Sequence, residues 1–257
     1  MTLLADRIAL VTGSTSGIGR GIARRFAALG AKVVVHGRNE AGASRTLEAI
    51  AGEGGEAAWF AADLADTSAC SALVAFTVER FGGLDILVNN AALTTRGDIE
   101  HVPLDVIDSI LAVNLRAPLL LTQAAIPHLK ARGGAIVNIG SVNAYIGEPK
   151  LCPYSVSKGG LMTLTKNTAA YLNRYRIRVN QINVGWTLTE GEDRVKRLEG
   201  KGDRWLEDAE GTRPWGRLLL PDDIANAVVY FASDDSALVT GAVLDLEQYP
   251  VGALPNF

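Results

Sequence analysis

A tyrosine and a lysine that could exchange a proton stand four residues apart in the segment Tyr154-Ser-Val-Ser-Lys158. If this segment is helical, both side chains lie on one face, with Cβ atoms about 5–6 Å apart. An ammonium group near a phenol favours the phenolate, so Lys158 would lower the pKa of Tyr154 from about 10 toward the range useful for proton transfer. The same spacing is common on ordinary amphipathic helices, so this pair indicates catalysis only if the chain also supplies a cofactor and a substrate site.

The composition argues against several other classes of protein. The chain has 257 residues, of which 48% are hydrophobic and 21% charged, and its net charge is -3. These values are typical of an ordinary globular chain whose length suits one hydrophobic core. We find no Lys/Arg run of the kind that binds nucleic acid or an anionic membrane, and no apolar run long enough to cross a bilayer. We therefore expect neither a nucleic-acid nor a membrane partner.

Cysteine and histidine usage bears on compartment and metal binding. Cys70 and Cys152 do not suggest a disulfide framework, and the first residues lack the pattern of a signal peptide. We therefore expect a cytoplasmic protein. The histidines at 36, 101 and 128 are scattered, and there is no Cys/His cluster, so we expect no metal site.

Glycines follow the first apolar run of the chain. Residues 8–12 read as a buried strand, Gly13, Gly17 and Gly19 follow, and residues 20–29 have the apolar spacing of a helix. Glycines in such a strand–turn–helix unit let the backbone approach a pyrophosphate, and the helix N-terminus offers free N–H groups and a positive dipole end. The setting therefore predicts dinucleotide binding rather than an ordinary loop.

Apolar strands and helices alternate along the rest of the chain. Strands are predicted at 8–12, 31–35, 56–62, 84–88, 135–139, 177–182 and 242–246, and helices at 20–29, 40–51, 67–81, 104–132, 153–174 and 221–232. The stretch 104–132 should form two helices, with Pro118 and Pro127 at bends or boundaries. This alternation predicts an α/β fold with a doubly wound parallel sheet and helices on both faces.

The segment 186–218 interrupts this rhythm. It contains three of the four tryptophans among many charged residues, and it shows no clean period. An insertion between the sixth strand and the last helix would lie at the carboxyl ends of the strands, where such sheets bind ligands. The segment could be a mobile substrate-binding lid or a charged helical hairpin on the surface. We expect residues 1–257 to form a single nucleotide-binding domain in either case.

In their order and spacing, the motifs of this chain resemble the short-chain dehydrogenase/reductase family over essentially the whole length. The motifs are Thr12-Gly13-x-x-x-Gly17-Ile18-Gly19, Asp63-Leu64, Asn89-Asn90-Ala91, Asn114, Ser141, Tyr154-x-x-x-Lys158, and Arg178-Val179-Asn180 before Gly185 and Thr189. The resemblance implies a Rossmann-type fold with a seven-stranded parallel sheet and a nicotinamide cofactor. It also implies a homo-oligomer, either a tetramer or a dimer.

The same resemblance implies a set of cofactor contacts. The residues concerned are Gly13, Ser16, Gly17, Ile18, Gly19, Arg38, Asp63, Leu64, Asn89, Ala91, Tyr154, Lys158, Gly185 and Thr189. The three glycines would lie under the pyrophosphate. Asp63 would hydrogen-bond the adenine, and Thr189 would reach the nicotinamide carboxamide.

Four residues would carry the chemistry. Tyr154 would donate a proton to the substrate carbonyl during reduction, or take one from the alcohol during oxidation. Lys158 would lower the tyrosine pKa and hold the nicotinamide ribose, and Ser141 would hydrogen-bond the substrate oxygen. Asn114 would hold a water that links Lys158 to solvent. The cofactor would supply the hydride, while the protein supplies orientation and a tuned acid/base.

The residues after the second strand bear on cofactor choice. NAD-specific members carry an acidic residue where this chain has Gly37, and Arg38 follows it. An arginine can pair with a 2′-phosphate, which favours NADP over NAD. Against this, Ser16 stands where many NADP-dependent members carry a second basic residue.

Three further positions depart from the family pattern. Ala92 replaces the usual glycine of the Asn-Asn-Ala-Gly motif, and Val184 replaces the proline usually found before Gly185. The segment Leu246-Glu247-Gln248-Tyr249 replaces the usual Val-Asp-Gly-Gly. In the family this region often meets a neighbouring subunit.

The leading hypothesis is an NAD(P)-dependent oxidoreductase that interconverts a carbonyl and a secondary alcohol on a small or medium metabolite. The polar, tryptophan-containing segment 186–218 favours a sugar, polyol or hydroxy acid. A 3-oxoacyl thioester reductase is the competing enzyme hypothesis. A catalytically silent nucleotide-binding regulatory protein is the non-enzyme alternative, although such a protein would be expected to have lost Tyr154 or Lys158.

Overall fold

A sheet of seven parallel strands forms the centre of the computed structural model, which describes residues 2–252. The strands are β1 (Ile8–Val11), β2 (Lys32–His36), β3 (Glu56–Phe60), β4 (Ile86–Asn89), β5 (Ala135–Ser141), β6 (Arg178–Val184) and β7 (Val243–Leu246). Their spatial order is β3-β2-β1-β4-β5-β6-β7. The order reverses between β1 and β4, which makes the sheet doubly wound and opens a crevice at the carboxyl ends of these two strands. The predicted fold class is thus confirmed.

The central strands are apolar along their whole length because helices cover both faces of the sheet. Every residue of β1, β4 and β5 is buried, as expected for a parallel sheet packed on two sides. On one face, Ile22 and Phe26 pack with Ile224 and Val228. The other face has a separate apolar core of its own. Each large side chain removed from water in this way stabilises the fold by about 1.5–3 kcal/mol.

Nine α-helices lie within the described part of the chain. They are α1 (Gly17–Ala28), α2 (Glu40–Gly52), α3 (Thr67–Phe81), α4 (Leu104–Leu111), α5 (Ala117–Leu129), α6 (Cys152–Leu172), α7 (Glu190–Leu198), α8 (Trp205–Glu210) and α9 (Pro221–Ala232). Residues of α1, α2 and α9 enter the first core, and residues of α3, α5 and α6 enter the second. None of these helices is both long enough and apolar enough to cross a membrane.

The predicted division of 104–132 into two helices is confirmed, but the boundary has a different cause. A π-helical turn over Ala112–Arg116 separates α4 from α5. Pro118 is the second residue of α5, which continues from the π-helical turn with helical backbone angles. Pro127 lies inside α5, which continues to Leu129. Neither proline therefore ends a helix.

The segment 186–218 folds into the two short helices α7 and α8 around a small apolar core of its own. Trp205, Ala209 and Leu218 are buried there, and Trp186 packs against them. A parallel bridge between Thr187 and Leu219 closes the base of the segment. Two of its charged residues, Glu192 and Asp193, are half-buried and accept hydrogen bonds from Trp186 and Trp205.

Candidate active site

A cleft of about 530 Å³ opens at the carboxyl ends of β1, β2, β3 and β4. Ten of the residues predicted to contact the cofactor line it: Gly13, Ser16, Gly17, Ile18, Gly19, Arg38, Asp63, Leu64, Ala91 and Thr189. Residues that follow five different strands thus meet in one crevice, at the place where the strand order reverses.

The glycine turn at the start of α1 leaves no room for side chains. Gly13 and Gly17 have φ values of 64° and 52°, which favour glycine. A Cβ on Gly13 would stand 2.8 Å from the Cα of Ala91. The turn is therefore closed tightly against the end of β4.

The amino-terminal end of α1 suits an anion. Ser16 occupies the N-cap position but makes no side-chain capping bond, and the first turn carries no acidic residue. N–H groups at such an end need partners from outside the helix, and the helix dipole favours negative charge there. The turn and the helix end together fit the pyrophosphate of a dinucleotide.

His36 at the end of β2 supports the glycine turn, a role that the sequence did not reveal. Its Nδ1 accepts a hydrogen bond from the Gly13 N–H at 3.2 Å, and its Nε2 lies 3.2 Å from the carbonyl oxygen of Ala62. These partners require the neutral tautomer with the hydrogen on Nε2. Burial lowers the pKa of His36 to about 4, so the ring is neutral at pH 7. The histidine connects the first three strands beneath the cleft.

Arg38 and Asp63 form an ion pair on the cleft wall. One guanidinium nitrogen of Arg38 donates to Asp63 Oδ2 at 3.0 Å, and the Ala65 N–H donates to Asp63 Oδ1 at 3.0 Å. The Ala65 N–H is the main cause that lowers the pKa of Asp63, and Arg38 adds to it. Arg38 was predicted to meet a 2′-phosphate and Asp63 an adenine. The structure brings the two side chains together at one place.

Ser141, Tyr154 and Lys158 also come together. β5 ends at Ser141, and α6 carries Tyr154 and Lys158 one turn apart. Lys158 Nζ donates to the carbonyl oxygen of Ile139 at 2.7 Å and lies 5.6 Å from the centroid of the Tyr154 ring. Ser141 stands close enough to the Tyr154 hydroxyl to affect its pKa. The strand thus supplies the serine, and the same strand fixes the lysine beneath the tyrosine.

The pKa values at this site differ from those expected. Burial raises the pKa of Tyr154, while the neighbouring Ser141 and the charge of Arg96 oppose that rise, and the charge of Glu192 adds to it. Burial also lowers the pKa of Lys158 to about 8. The predicted lowering of the tyrosine pKa is therefore wrong for this arrangement, because both groups are desolvated and the ammonium is directed at the Ile139 carbonyl.

Asn114 lies fully buried in the π-helical turn. Its Oδ1 accepts from the Leu93 N–H at 2.8 Å, and its Nδ2 donates to the Leu93 carbonyl at 2.9 Å and to Ser157 Oγ at 3.1 Å. The side chain thus ties the loop after β4 to α6. Single π-helical turns are frequent at functional sites. The water relay from Asn114 to Lys158 stays a prediction.

Four of the residues predicted to contact the cofactor do not line the cleft: Tyr154 and Lys158, which stand with Ser141 instead, and two others, Asn89 and Gly185. Asn89 Nδ2 donates to Asn138 Oδ1 at 2.8 Å inside the sheet. The Gly185 N–H donates to the carbonyl of Leu246 at 2.9 Å, and a Cβ on Gly185 would overlap the Glu247 carboxylate. Both positions therefore serve contacts within the sheet and at its edge.

The segment Leu246-Glu247-Gln248-Tyr249, which departs from the family pattern, makes hydrogen bonds to other parts of the described chain. Gln248 Nε2 donates to the carbonyl of Arg217 at 2.6 Å, and the Tyr249 hydroxyl donates to the carbonyl of Thr212 at 2.7 Å. The Glu247 carboxylate accepts from the Trp186 N–H at 3.3 Å. These three residues thus fasten the segment 186–218. From the resemblance to the family, only a contact with a neighbouring subunit was expected in this region.

A second hollow, of about 440 Å³, lies between the loop after β4 and α7. It shares Ala92 and Leu93 with the first cleft and is also lined by Arg96 and Glu199. Arg96 Nε donates to Glu199 Oε1 at 3.0 Å. The neighbouring Gly97 forms a parallel bridge with Leu151, just before α6. This bridge brings the loop that carries Arg96 next to the start of α6, so that the charge of Arg96 acts on Tyr154. The spacing of residues in the sequence did not predict this contact.

The comparisons with known proteins agree with this architecture. A family model described as enoyl-(acyl carrier protein) reductase matches residues 13–247. An uncharacterized oxidoreductase of Thermotoga maritima is 37% identical over 242 residues, which are 94% of this chain and 96% of that protein. The L-rhamnose 1-dehydrogenase (NAD(P)(+)) of Azotobacter vinelandii is 37% identical over 249 residues, covering 94% of this chain and 95% of its own.

A solved structure of a short-chain dehydrogenase/reductase from Serratia marcescens superimposes with a TM-score of 0.87 at 33% identity, and the match covers 96% of this chain and 98% of that one. The chain therefore belongs to the short-chain dehydrogenase/reductase family. It is an oxidoreductase that uses a nicotinamide cofactor, NAD or NADP.

Proposed function

We propose that this protein interconverts a carbonyl and a secondary alcohol on a small or medium polar metabolite, with NADP as its preferred cofactor. The meeting of Ser141, Tyr154 and Lys158, with Lys158 Nζ 5.6 Å from the centroid of the tyrosine ring, carries the proposal. A bound nicotinamide supplies or accepts the hydride. The protein orients the substrate oxygen between the two hydroxyl groups and moves the proton.

In this mechanism, Tyr154 donates its hydroxyl proton to the carbonyl oxygen as an alcohol forms, and Ser141 donates a hydrogen bond to the same oxygen. Lys158, whose pKa burial lowers to about 8, would hold the nicotinamide ribose beside the tyrosine. In the oxidative direction Tyr154 accepts the proton of the alcohol. Asn114 is proposed to position α6 and to support proton exchange with solvent.

The charges around Tyr154 support a polar substrate. Arg96 and Glu192 are both close enough to affect the pKa of the tyrosine, though less than burial does. The hollow beside Arg96 shares Ala92 and Leu93 with the cofactor cleft, and Val195 and Leu198 of α7 line its other side. We propose that this segment is the substrate-binding lid of a single domain. A relative named for a sugar, L-rhamnose, supports the same substrate class.

A steady-state screen with NADPH and NADH tests the substrate proposal. It should include sugars, polyols, hydroxy and oxo acids, and a 3-oxoacyl thioester. Turnover of a sugar, polyol or hydroxy acid with the highest kcat/KM is the expected result. A clear preference for the thioester would favour the competing reductase hypothesis.

Arg38→Gln is expected to weaken NADPH binding by about tenfold or more and to leave NADH binding within about twofold. The reason is that a charge-assisted hydrogen bond to the 2′-phosphate contributes about 1.5–3 kcal/mol. Fluorescence titration with each reduced cofactor measures the two dissociation constants. The matched control is Arg45→Gln, because Arg45 is an exposed arginine on α2. Equal losses for NADPH and NADH would contradict a preference based on Arg38.

We also propose that the protein is a cytoplasmic homo-oligomer, either a tetramer or a dimer. The family to which the chain belongs supports this, and a subunit contact through α6 would cover its exposed apolar side chains Val156 and Tyr171. Light scattering should give a mass of two or four chains. The mass of one chain would contradict the proposal.

A further inference from the structure

Glu190, the first residue of α7, reaches across to the glycine turn. Its Oε2 accepts a hydrogen bond from the Gly17 N–H at 3.1 Å, and its Oε1 accepts one from Arg20 NH1 at 2.6 Å. Gly17 and Arg20 belong to the first turn of α1. A carboxylate from one helix therefore fills the anion-binding end of another.

The partners of Glu190 are held in place by contacts of their own. Arg20 NH2 donates to the carbonyl of Thr15 at 2.7 Å, and Arg20 Nε donates to Thr46 Oγ1 at 3.3 Å. Burial alone would raise the pKa of Glu190, but the Gly17 N–H and Arg20 bring it below its usual value. The carboxylate is therefore ionised at neutral pH and faces a fixed guanidinium group and a helix end.

We infer that Glu190 is an internal competitor of the cofactor pyrophosphate, and that a bound dinucleotide displaces it and releases the amino-terminal end of α7. This inference rests on the proposed cofactor site. A carboxylate and a pyrophosphate cannot both accept from the Gly17 N–H, and two like charges beside one helix end repel each other. Glu190 therefore weakens cofactor binding and couples it to the lid.

The coupling to the lid follows from the other contacts of α7. Glu192 Oε1 accepts from Trp186 Nε1 at 2.8 Å, and Asp193 Oδ1 accepts from Trp205 Nε1 at 2.9 Å. At the opposite end of the helix, Glu199 is paired with Arg96. Release of Glu190 thus frees one end of α7 while the other stays anchored at the substrate hollow. Movement of α7 should change the surroundings of both indole rings.

Glu190→Gln provides the test, because glutamine keeps the length and an oxygen acceptor but removes the charge. Calorimetry with NADPH and with inorganic pyrophosphate should give dissociation constants about tenfold lower than for the wild type, the scale of one charge-assisted hydrogen bond. The control is Glu48→Gln, which removes an exposed carboxylate on α2. An unchanged or higher dissociation constant for Glu190→Gln, or an equal fall in the control, would overturn the inference.

The second readout is tryptophan emission on addition of pyrophosphate. Trp59 is first replaced with Phe, because its Nε1 donates to the Gly37 carbonyl at the cleft. In the Trp59→Phe protein, emission from the remaining tryptophans at 186, 205 and 215 should change when pyrophosphate is added. The change should be smaller in the protein that also carries Glu190→Gln. No change in either protein would overturn the release of α7. If NADPH bound to neither protein, the proposed cofactor site itself would fail.

Discussion

Tyr154→Phe is expected to lower kcat by about 10²–10⁴-fold, the contribution typical of a positioned general acid. The variant loses the hydroxyl proton that Tyr154 is proposed to give to the substrate oxygen, while the walls of the cofactor cleft are unaltered. We therefore expect the dissociation constant for NADPH to stay within about twofold of the wild-type value. Steady-state kinetics and calorimetry on the same preparations separate these two effects.

The control for this variant is Tyr171→Phe. Tyr171 lies on the same helix and is 54% exposed, so the loss of its hydroxyl should leave kcat unchanged. Full activity in Tyr154→Phe would contradict the mechanism. A loss of cofactor binding as large as the loss of kcat would instead assign Tyr154 to cofactor binding rather than to acid catalysis.

Lys158→Met is expected to remove most of the activity and to change how stability depends on pH. Lys158 is 3% exposed, and burial lowers its pKa from 10.5 to about 8. Below pH 8 the native protein bears the full cost of the buried ammonium. Between about pH 8 and 10.5 the unfolded chain holds this proton and the native protein does not, so the stability contributed by this group rises with pH.

The free energy of unfolding of the wild type should therefore rise relative to that of Lys158→Met by about 3 kcal/mol across this pH window. Urea unfolding of both proteins at a series of pH values measures the difference, and the titration of other groups cancels between them. A difference that stays constant from pH 7 to pH 11 would show that the buried lysine keeps its ordinary pKa.

The fold could be predicted from the sequence because its signals are local. Runs such as Val33-Val34-Val35 and Ile136-Val137 are continuous and apolar, since both faces of the sheet are covered. The boundary within 104–132 could not be predicted, because a π-helical turn has no short-range signature comparable to that of a proline. The segment 186–218 was also obscure, since its apolar residues pack mainly on one another.

The active site could be predicted only where its residues belong to a spaced motif. Tyr154 and Lys158 are four residues apart on one helix, and the glycines form one turn. His36 and Glu190 escaped prediction because their partners lie 23 and 173 residues away along the chain. Gly185 was assigned to the cofactor by its place in a motif, yet the nearby Glu247 gives it a different neighbour. Contacts of this kind depend on the folded sheet.

Hydride transfer is the central claim, and isotope labelling tests it most directly. A carbonyl compound that is active in the substrate screen would be reduced with NADPH deuterated at the transferable position of the nicotinamide. The account predicts deuterium on the former carbonyl carbon of the alcohol in the wild type, and about 10²–10⁴-fold slower transfer in Tyr154→Phe. An alcohol whose new C–H hydrogen comes from solvent would contradict the account.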